Sequence, residues 1–266
     1  IGTQSNRTAS ITLSDIDQDG DLDALVANGR HWAEQNYVYY NDGNGGFKLA
    51  QPIGKFLDAS YSVKSADLNN DGFMDIVVAN DNVENKIYFG SANQNFDKEF
   101  SFGLISPSRN LEIADIDNDG DFDLILSNRK FENEICLNDG KGNFKNIITY
   151  GNQSDQTIQT NIVDESRSID IADFDNDGFL DVVVGNLGSK NSIYFGDKNL
   201  NFNRVYDFKT ERSTLSIKVA DLNKDGYLDI IEGNSEERNY VYLGQENGEF
   251  IEIGLREDLK DDTYNI

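Results

Sequence analysis

The chain has 266 residues, with 48 Asp and Glu against 23 Lys and Arg, so its formal net charge is −25. This charge argues against binding to nucleic acid or to anionic membrane surfaces, which need clustered Lys and Arg. No apolar run approaches the ~20 residues of a membrane-spanning helix, so membrane insertion is not expected. A single cysteine, Cys136, excludes an intrachain disulfide framework and a paired-cysteine zinc site.

Five nine-residue segments share the pattern D-x-[DN]-x-D-G-x-x-D, and their first residues are 48 to 58 positions apart. They cover residues 15–23, 67–75, 115–123, 173–181 and 221–229. An alternating apolar stretch, such as 169–172, precedes each segment, and an apolar run, such as 76–79, follows it. Alternation and β-branched residues indicate strands, so each Asp-rich loop is predicted to join two strands, which we label A and B.

Two further strands are predicted in every repeat. Strand C is expected at residues 36–40, 85–89, 133–137, 191–195 and 239–243. A turn rich in Gly, Asn and Asp then leads to a Phe that opens strand D, at Phe47, Phe96, Phe144, Phe202 and Phe250. Four short strands per repeat are typical of a β-propeller blade. The sequence therefore predicts an all-β chain forming one β-propeller domain over residues 1–266, with blades at approximately 1–57, 58–105, 106–163, 164–210 and 211–266.

The number of blades is left open by the C-terminal residues. Residues 264–266 align with 61–63, which stand just ahead of an Asp-rich loop. Either 266 residues close a five-bladed ring, or the chain is part of a longer propeller. Because residues 10–14 already supply strand A of blade 1, the alignment favours the second arrangement.

Strand direction alternates within a blade, so the A–B and C–D turns share one rim and the B–C and D–A connections share the other. The A–B and C–D turns keep a constant length, and all length variation falls on the B–C and D–A rim. Loops of variable length are where proteins usually build binding surfaces. A ligand is therefore expected on the rim opposite the Asp-rich loops.

The Asp-rich loops have the composition of calcium sites. Side chains at positions 1, 3, 5 and 9 and the carbonyl of position 7 offer only oxygen, and Gly at position 6 permits a tight bend. Six or seven oxygens on a flexible loop favour Ca²⁺ over Mg²⁺, which predicts about five Ca²⁺ ions. The predicted ligands are Asp15, Asp17, Asp19, Asp21 and Asp23; Asp67, Asn69, Asp71, Phe73 and Asp75; Asp115, Asp117, Asp119, Asp121 and Asp123; Asp173, Asp175, Asp177, Phe179 and Asp181; and Asp221, Asn223, Asp225, Tyr227 and Asp229.

The alternative is that these segments are merely polar turns, in which Asp and Gly are common. Five complete copies of the pattern argue against it. Electrostatics argues against it as well, because two carboxylates about 4 Å apart repel by roughly 4 kcal/mol at an effective dielectric constant of 20. Five such clusters without cations would oppose folding.

The chain resembles the FG-GAP/VCBS repeat family, whose blades occur in integrin α-subunit propellers, in lectins and in many secreted bacterial proteins. The five Asp-rich loops carry the resemblance, together with Tyr88-Phe89-Gly90 and Tyr194-Phe195-Gly196 at the ends of strand C. It implies a calcium-stabilised propeller, commonly of seven blades, with ligands on the face away from the calcium loops. Blade 1, with Tyr40-Asn41, and blade 3, with Cys136-Leu137, depart from the strand C motif but not from the metal pattern.

Basic and aromatic residues are predicted on the variable rim. A three-residue insertion in blade 1 carries the sequence's single His and single Trp. The candidate ligand-binding residues are Arg30, His31, Trp32, Arg109, Arg129, Lys130 and Arg167. Exposed aromatic and Arg side chains favour interfaces with an anionic sugar or a protein. The alternative is a solvated loop in which Trp32 covers a blade edge.

Catalysis has little support in the sequence, which has no second His, no G-x-S-x-G motif and no phosphate-binding loop. We therefore expect a non-enzymatic calcium-binding module, secreted or at the cell surface, that acts in adhesion by binding carbohydrate or protein. The first alternative is a polysaccharide lyase, with His31 or a Tyr as the base and Arg109 or Arg167 as the charge stabiliser. The second is a purely structural repeat module. The sequence leaves the oligomeric state open.

Overall fold

A computed structural model of the chain describes residues 5–47, 49–96, 98–151, 164–255 and 263. Every regular element in this part of the chain is a β-strand, which confirms the all-β prediction, and none of its segments forms a helix able to cross a membrane. The strands are β1 (Thr8–Ser14), β2 (Asp23–Asn28), β3 (Glu34–Tyr40), β4 (Leu49–Asp58), β5 (Ser60–Ala66), β6 (Asp75–Tyr88), β7 (Glu99–Ala114), β8 (Asp123–Asn128), β9 (Asn133–Leu137), β10 (Asn146–Tyr150), β11 (Ser166–Ala172), β12 (Asp181–Phe195), β13 (Arg204–Ala220), β14 (Asp229–Asn234), β15 (Tyr240–Gly244) and β16 (Phe250–Gly254).

The strands form three antiparallel sheets. The first repeat is a four-stranded sheet in the order β1-β2-β3-β4, as predicted for one blade. The other two sheets have six strands each, in the orders β10-β9-β8-β7-β6-β5 and β11-β12-β13-β14-β15-β16. The number of blades and the closure of a ring stay predictions, and residues 264–266, on which the question of a sixth repeat depends, lie outside the described residues.

Four of the strands are longer than predicted. Strands β6 and β12 each run through a B–C connection, while β7 and β13 each join strand D of one repeat to strand A of the next. In β6, for example, Asp81 pairs with Pro107 and Val83 with Ser106 of β7. The residues of the short B–C connection thus pair with the neighbouring strand, so β6 continues through the connection. The predicted blade limits at 105/106 and 210/211 thus fall inside continuous strands.

The chain divides into two compact units, each with its own core. Unit 1 comprises residues 1–115, 119–126 and 134–148, and unit 2 comprises 116–118, 127–133 and 149–266. In both units the B strands are almost entirely buried, as their continuous apolar runs require. Cys136 is buried in the core of unit 1, and burial raises the pKa of its thiol. Cys136 is therefore a packed side chain of the core.

A chain of side-chain hydrogen bonds ties strand ends together in unit 1. The Ser60 hydroxyl donates to Asn80 Oδ1 (2.8 Å), and the Asn80 backbone N–H donates to Asn85 Oδ1 (2.8 Å). From the preceding repeat, Asn36 Nδ2 donates to the Ser60 hydroxyl (2.8 Å). The recurrent Asn pair therefore caps the B–C turn and also links one repeat to the next.

The same chain recurs in unit 2. Asn191 Nδ2 donates to the Thr214 hydroxyl (2.9 Å), which donates to Asn234 Oδ1 (3.0 Å). Asn239 Nδ2 donates in turn to the hydroxyl of Thr263 (2.8 Å). Thr263 thus takes the place that Thr214 holds one repeat earlier.

Candidate metal centres and the opposite rim

All five Asp-rich loops have the same backbone conformation. The Gly at position 6 has φ between 87° and 97° in every loop, which confirms the predicted bend. Position 4 is left-handed as well, with φ between 57° and 62°, although its residue is never Gly. These residues are Gln18, Asn70, Asn118, Asn176 and Lys224. Two left-handed residues per loop therefore give the backbone the same tight bend in all five loops.

Hydrogen bonds from the backbone hold the loop carboxylates in place. In every loop the position 1 carboxylate accepts the N–H of the position 6 Gly, at 2.8 to 3.1 Å. The position 5 carboxylate accepts the N–H of position 7 in every loop, at 2.9 to 3.0 Å. Backbone donors of the loop therefore orient the carboxylates of positions 1 and 5.

The Asp at position 9 joins two turns. Asp75 is fully buried and accepts the N–H of Leu68 within its own loop (2.9 Å) and the N–H of Gly90 after strand C (2.7 Å). Asp23, Asp181 and Asp229 make the same pair of bonds. These bonds place the A–B loop and the C–D turn at the same end of the strands, as predicted.

Acidic oxygens converge inside three of the loops. In each, three carboxylates offer oxygens that all lie within 4.8 Å of one another. The three sets are Asp15, Asp17 and Asp19; Asp115, Asp117 and Asp123; and Asp173, Asp175 and Asp181. Burial, with a smaller contribution from neighbouring carboxylates, raises the pKa of Asp181 to about 7, and that of Asp75 in the second loop likewise to about 7.

Two loops carry Asn at position 3 and are organised differently. Asn69 Nδ2 donates to Asp71 Oδ2 (3.1 Å), and Asn223 Nδ2 donates to Asp225 Oδ2 (2.8 Å). The amide thus replaces one carboxylate and neutralises part of the charge of another. In the fourth loop, Asp175 pairs with Arg204, which sequence reasoning did not anticipate. The five loops therefore differ in net charge although their backbones agree.

The residues present fit a hard divalent cation. The donor set consists only of carboxylate, amide and carbonyl oxygen. In the first loop Asp15 Oδ1 is buried and, among the described residues, has no hydrogen-bond partner. Such an orphaned buried oxygen is the kind that a bound cation satisfies. Positions 1, 3, 5, 7 and 9 would hold the ion, which would supply charge neutralisation and a cross-link between the ends of the loop.

The repeats identify the family. The FG-GAP-like repeat matches at residues 15–78, 67–126, 123–184 and 173–232. The chain belongs to the FG-GAP-like repeat family. Comparison with curated protein sequences finds no match.

Solved structures share the fold of this FG-GAP-like chain at low sequence identity. Two crystal structures of BBS1N in complex with ARL6DN, soaked with mercury and with lead, match with TM-scores of 0.61 and 0.62 and 12% identity. They align over 95% and 96% of this chain and 67% and 70% of theirs. The V. cholerae biofilm matrix protein Bap1 matches with a TM-score of 0.58 and 15% identity, over 97% of this chain. The chain spans 41% of the length of Bap1.

At the opposite strand ends of unit 1, the FG-GAP-like chain gathers several of the predicted ligand-binding residues. Tyr61 Oη lies 2.8 Å from His31 Nδ1, and the Arg109 guanidinium lies 4.0 Å from the centre of the Tyr61 ring. Trp32 is 62% exposed, with the Arg7 guanidinium 5.3 Å from its ring centre. Arg30 follows Gly29 in this loop and is left-handed, at φ 29°.

Arg109 does not face solvent, contrary to the expectation that it contacts a ligand. It is only 5% exposed, and its Nη1 pairs with Asp81 Oδ1 at 3.0 Å. An ion pair under an aromatic ring is a supporting arrangement, so Arg109 positions Tyr61. Tyr61 was not among the predicted site residues. It stands six residues before its Asp-rich loop, as Arg109 and Arg167 do before theirs, and this shared position could have placed it on the same rim.

The other three predicted residues meet around one carboxylate in unit 2. Arg129 Nε lies 3.0 Å and Lys130 Nζ 3.5 Å from the carboxylate oxygens of Glu165, and Arg167 also pairs with Glu165. Burial favours a raised pKa for Glu165, but the charges of Arg167, Arg129 and Lys130 hold it below its ordinary value. Glu165 was missed in the sequence, because its role depends on the three cations around it.

Proposed function

We propose that this chain is a calcium-binding, β-propeller-like module, secreted or displayed at the cell surface, that recognises a carbohydrate or a protein. The observation that carries the calcium part is the convergence of carboxylate oxygens in three Asp-rich loops, with Asp15 Oδ1 buried and without a hydrogen-bond donor among the residues that the structure describes. Loops of this kind bind calcium weakly, at dissociation constants of about 10⁻⁴ to 10⁻³ M in extracellular modules. Such affinities suit a calcium-rich extracellular environment.

The recognition part is supported by the exposed Trp32 beside His31, Tyr61 and Arg7. Aromatic and Arg side chains dominate binding energy at interfaces. BBS1N, which has a similar fold, is found in complex with ARL6DN, and Bap1 is a biofilm matrix protein. A binding or adhesive role for this chain is consistent with both neighbours.

The calcium proposal is tested by a pair of substitutions that remove equal charge from one loop. Asp17→Asn removes a converging carboxylate, whereas Asp21→Asn removes a carboxylate at position 7, where the carbonyl is the expected ligand. At a calcium concentration of about 100 times the dissociation constant, each site stabilises the fold by about 2.7 kcal/mol. Calorimetric titration with calcium should show one site lost or weakened in Asp17→Asn and all sites kept in Asp21→Asn. Equal behaviour of the two variants would contradict the assignment.

The recognition proposal is tested on a glycan array, in calcium-containing buffer, with a double variant. Trp32→Ala with Arg30→Ala should abolish ligand binding and leave the melting temperature unchanged. Leu22→Ala is the matched control, since Leu22 is 53% exposed and lies in the first Asp-rich loop, at the other end of the strands. Unchanged glycan binding by the double variant would reject this rim as the site.

A second candidate function is β-elimination on an acidic polysaccharide. The observation that favours it is the contact of Tyr61 Oη with His31 Nδ1, with the Arg109 cation against the Tyr61 ring. A Tyr and a His within hydrogen-bond distance of each other are a suitable pair for general-base catalysis. Because Arg109 is buried, an exposed cation such as Arg7 would have to meet the substrate carboxylate.

The two candidates differ in what they produce. A lyase generates an unsaturated product with ultraviolet absorbance, and Tyr61→Phe should abolish that product. A binding module gives saturable binding and no product with the same polysaccharide. A purely structural module gives neither. Measuring both signals with the wild-type chain therefore separates the three alternatives.

A further inference from the structure

Unit 1 contains an open cleft at the rim of the Asp-rich loops, where no ligand-binding residue was predicted. The cleft measures about 500 Å³. This volume falls within the roughly 300 to 1,000 Å³ of typical small-molecule sites. Its walls come from the second Asp-rich loop, the turn after β6, the start of β7 and the turn after β9. The Asp-rich loop contributes Asn69 and Asp71, which are also candidate calcium ligands, so the cleft adjoins a candidate metal site.

Two phenylalanines form the apolar part of this cleft. Phe89 and Phe100 meet edge to face, with ring centres 5.1 Å apart. Phe89 is half-buried against the core, whereas Phe100 is 39% exposed and belongs to the cleft lining. The Gly142 backbone lies against the Phe89 ring, since a Cβ at this position would overlap Phe89 Cζ. The ring pair is therefore held in place by packing and offers one open face.

Polar side chains surround the exposed ring. Lys98 Nζ lies 4.9 Å from the centre of the Phe100 ring, and Lys141 and Asn143 project from the facing turn. Asn side chains both donate and accept hydrogen bonds, as sugar hydroxyls do. Two exposed lysines in one cleft are notable in a chain with a net charge of −25, because they outweigh the single carboxylate of the lining, Asp71.

We propose that this cleft binds a pyranose unit of an acidic saccharide. The apolar face of the sugar ring packs on Phe100, where polarised C–H groups meet the electron-rich ring face. The sugar carboxylate lies between Lys98 and Lys141, and Asn143 meets the hydroxyls. The inference rests on the proposed ligand-binding role but uses residues separate from the Trp32 loop. It places a second recognition site at the rim that carries the Asp-rich loops.

The test uses a hyaluronan tetrasaccharide and its carboxyl-reduced, neutral counterpart, titrated calorimetrically into the full chain in calcium-containing buffer. Lys98→Ala with Lys141→Ala should weaken binding of the acidic probe by about tenfold, as expected for two exposed charge pairs. The same double variant should leave the neutral probe unaffected. Phe100→Ala should weaken both probes, while Leu222→Ala, at an apolar side chain that is 45% exposed in the fifth Asp-rich loop, should weaken neither.

The outcomes separate this site from the Trp32 loop. If Phe100→Ala loses binding and Trp32→Ala keeps it, the result supports the cleft. If only Trp32→Ala loses binding, the cleft proposal is overturned and the proposal of a binding site at the Trp32 loop is kept. Absence of binding by the wild-type chain at millimolar probe also overturns it. Because Phe100 contacts Phe89, thermal melting of each variant is measured, and the lysine variant, which changes only exposed side chains, decides the result if Phe100→Ala unfolds.

Discussion

Glu232 and Arg212 form a buried ion pair whose two members should respond differently to substitution. Glu232 is fully buried in β14, at the position held in the other repeats by Val26, Val78, Leu126 and Val184. Within the described part of the chain neither of its oxygens receives a well-directed hydrogen bond, and Arg212 Nε lies 3.4 Å away. Burial raises the pKa of Glu232. Asn234 and Tyr242 also lower the pKa of this carboxyl group, and Arg212 is the cation that balances its charge.

Arg212 is better supplied with partners. Its Nη2 lies 2.8 Å from Glu252 Oε1, and its guanidinium stacks 3.5 Å from the centre of the Tyr240 ring. Glu232→Leu leaves these contacts intact and restores the apolar pattern of the other repeats. Replacing buried ions with apolar residues is often neutral or stabilising by about 1 to 4 kcal/mol, whereas stranding one buried ion costs about 3 to 5 kcal/mol. We expect the first result for Glu232→Leu and the second for Arg212→Leu.

Urea denaturation at neutral pH in the presence of calcium measures both effects. The double variant, with Leu at both positions, should recover most of the stability that Arg212→Leu loses, because no buried carboxylate remains. In Arg212→Leu alone, stability should rise as the pH falls, since protonation removes the stranded charge. A loss in Glu232→Leu as large as that in Arg212→Leu would refute the reasoning.

Three other predictions concern the loops. Calcium titration should show weaker binding at the two loops with Asn at position 3, because calcium affinity follows the charge of the ligands. Asn69→Asp should strengthen binding at the second loop, while the fifth loop, which keeps Asn223, should stay weak. Equal affinities at all five loops would contradict this prediction. Asp75 and Asp181 have pKa values raised to about 7, by burial first and by neighbouring carboxylates second. In metal-free protein their protonated forms stabilise the fold fully below the unfolded pKa of 3.8, and this contribution is lost as the pH rises through about 7. The urea concentration at the unfolding midpoint should therefore be lower at about pH 8 than at about pH 5, and an equal or higher midpoint at pH 8 would contradict this. Gly29→Ala should destabilise by about 1 to 3 kcal/mol, because Gly29 has φ 111° and a Cβ there would lie 2.6 Å from the Asp58 carbonyl oxygen; a melting temperature equal to wild type would argue against it.

The strands and the Asp-rich loops were predictable because their signals are local and occur five times. The alternation of 169–172 and the apolar run of 76–79 both became strands, and Gly at position 6 became left-handed in every loop. The left-handed conformation at position 4 was not predicted, because Gln18 and Lys224 are not of the residue types that favour a positive φ. The repeated context, and not the residue type, imposes it.

The opposite rim was harder to predict because burial depends on residues distant in sequence. Alignment placed Arg109 and Arg167 at equivalent positions, yet Arg109 is buried against Asp81 whereas Arg167 pairs with Glu165. Neither acid is specified by the repeat pattern. The buried Glu232 was missed for a related reason, because one acid in a run of apolar residues gives no sign of the Arg that meets it.

The hydrogen bonds that pass from Asn191 to Thr214 and from Asn239 to Thr263 have a consequence for engineering the number of repeats. Each amide depends on a hydroxyl that stands just ahead of the next Asp-rich loop, so a cut placed between them leaves a donor unsatisfied. A cassette that begins at one Asp-rich loop and ends just before the next, such as residues 173–220, keeps Asn191 and Thr214 together. Insertions or deletions made in that register should therefore keep each amide with its hydroxyl, whereas a cut just before the hydroxyl would separate them.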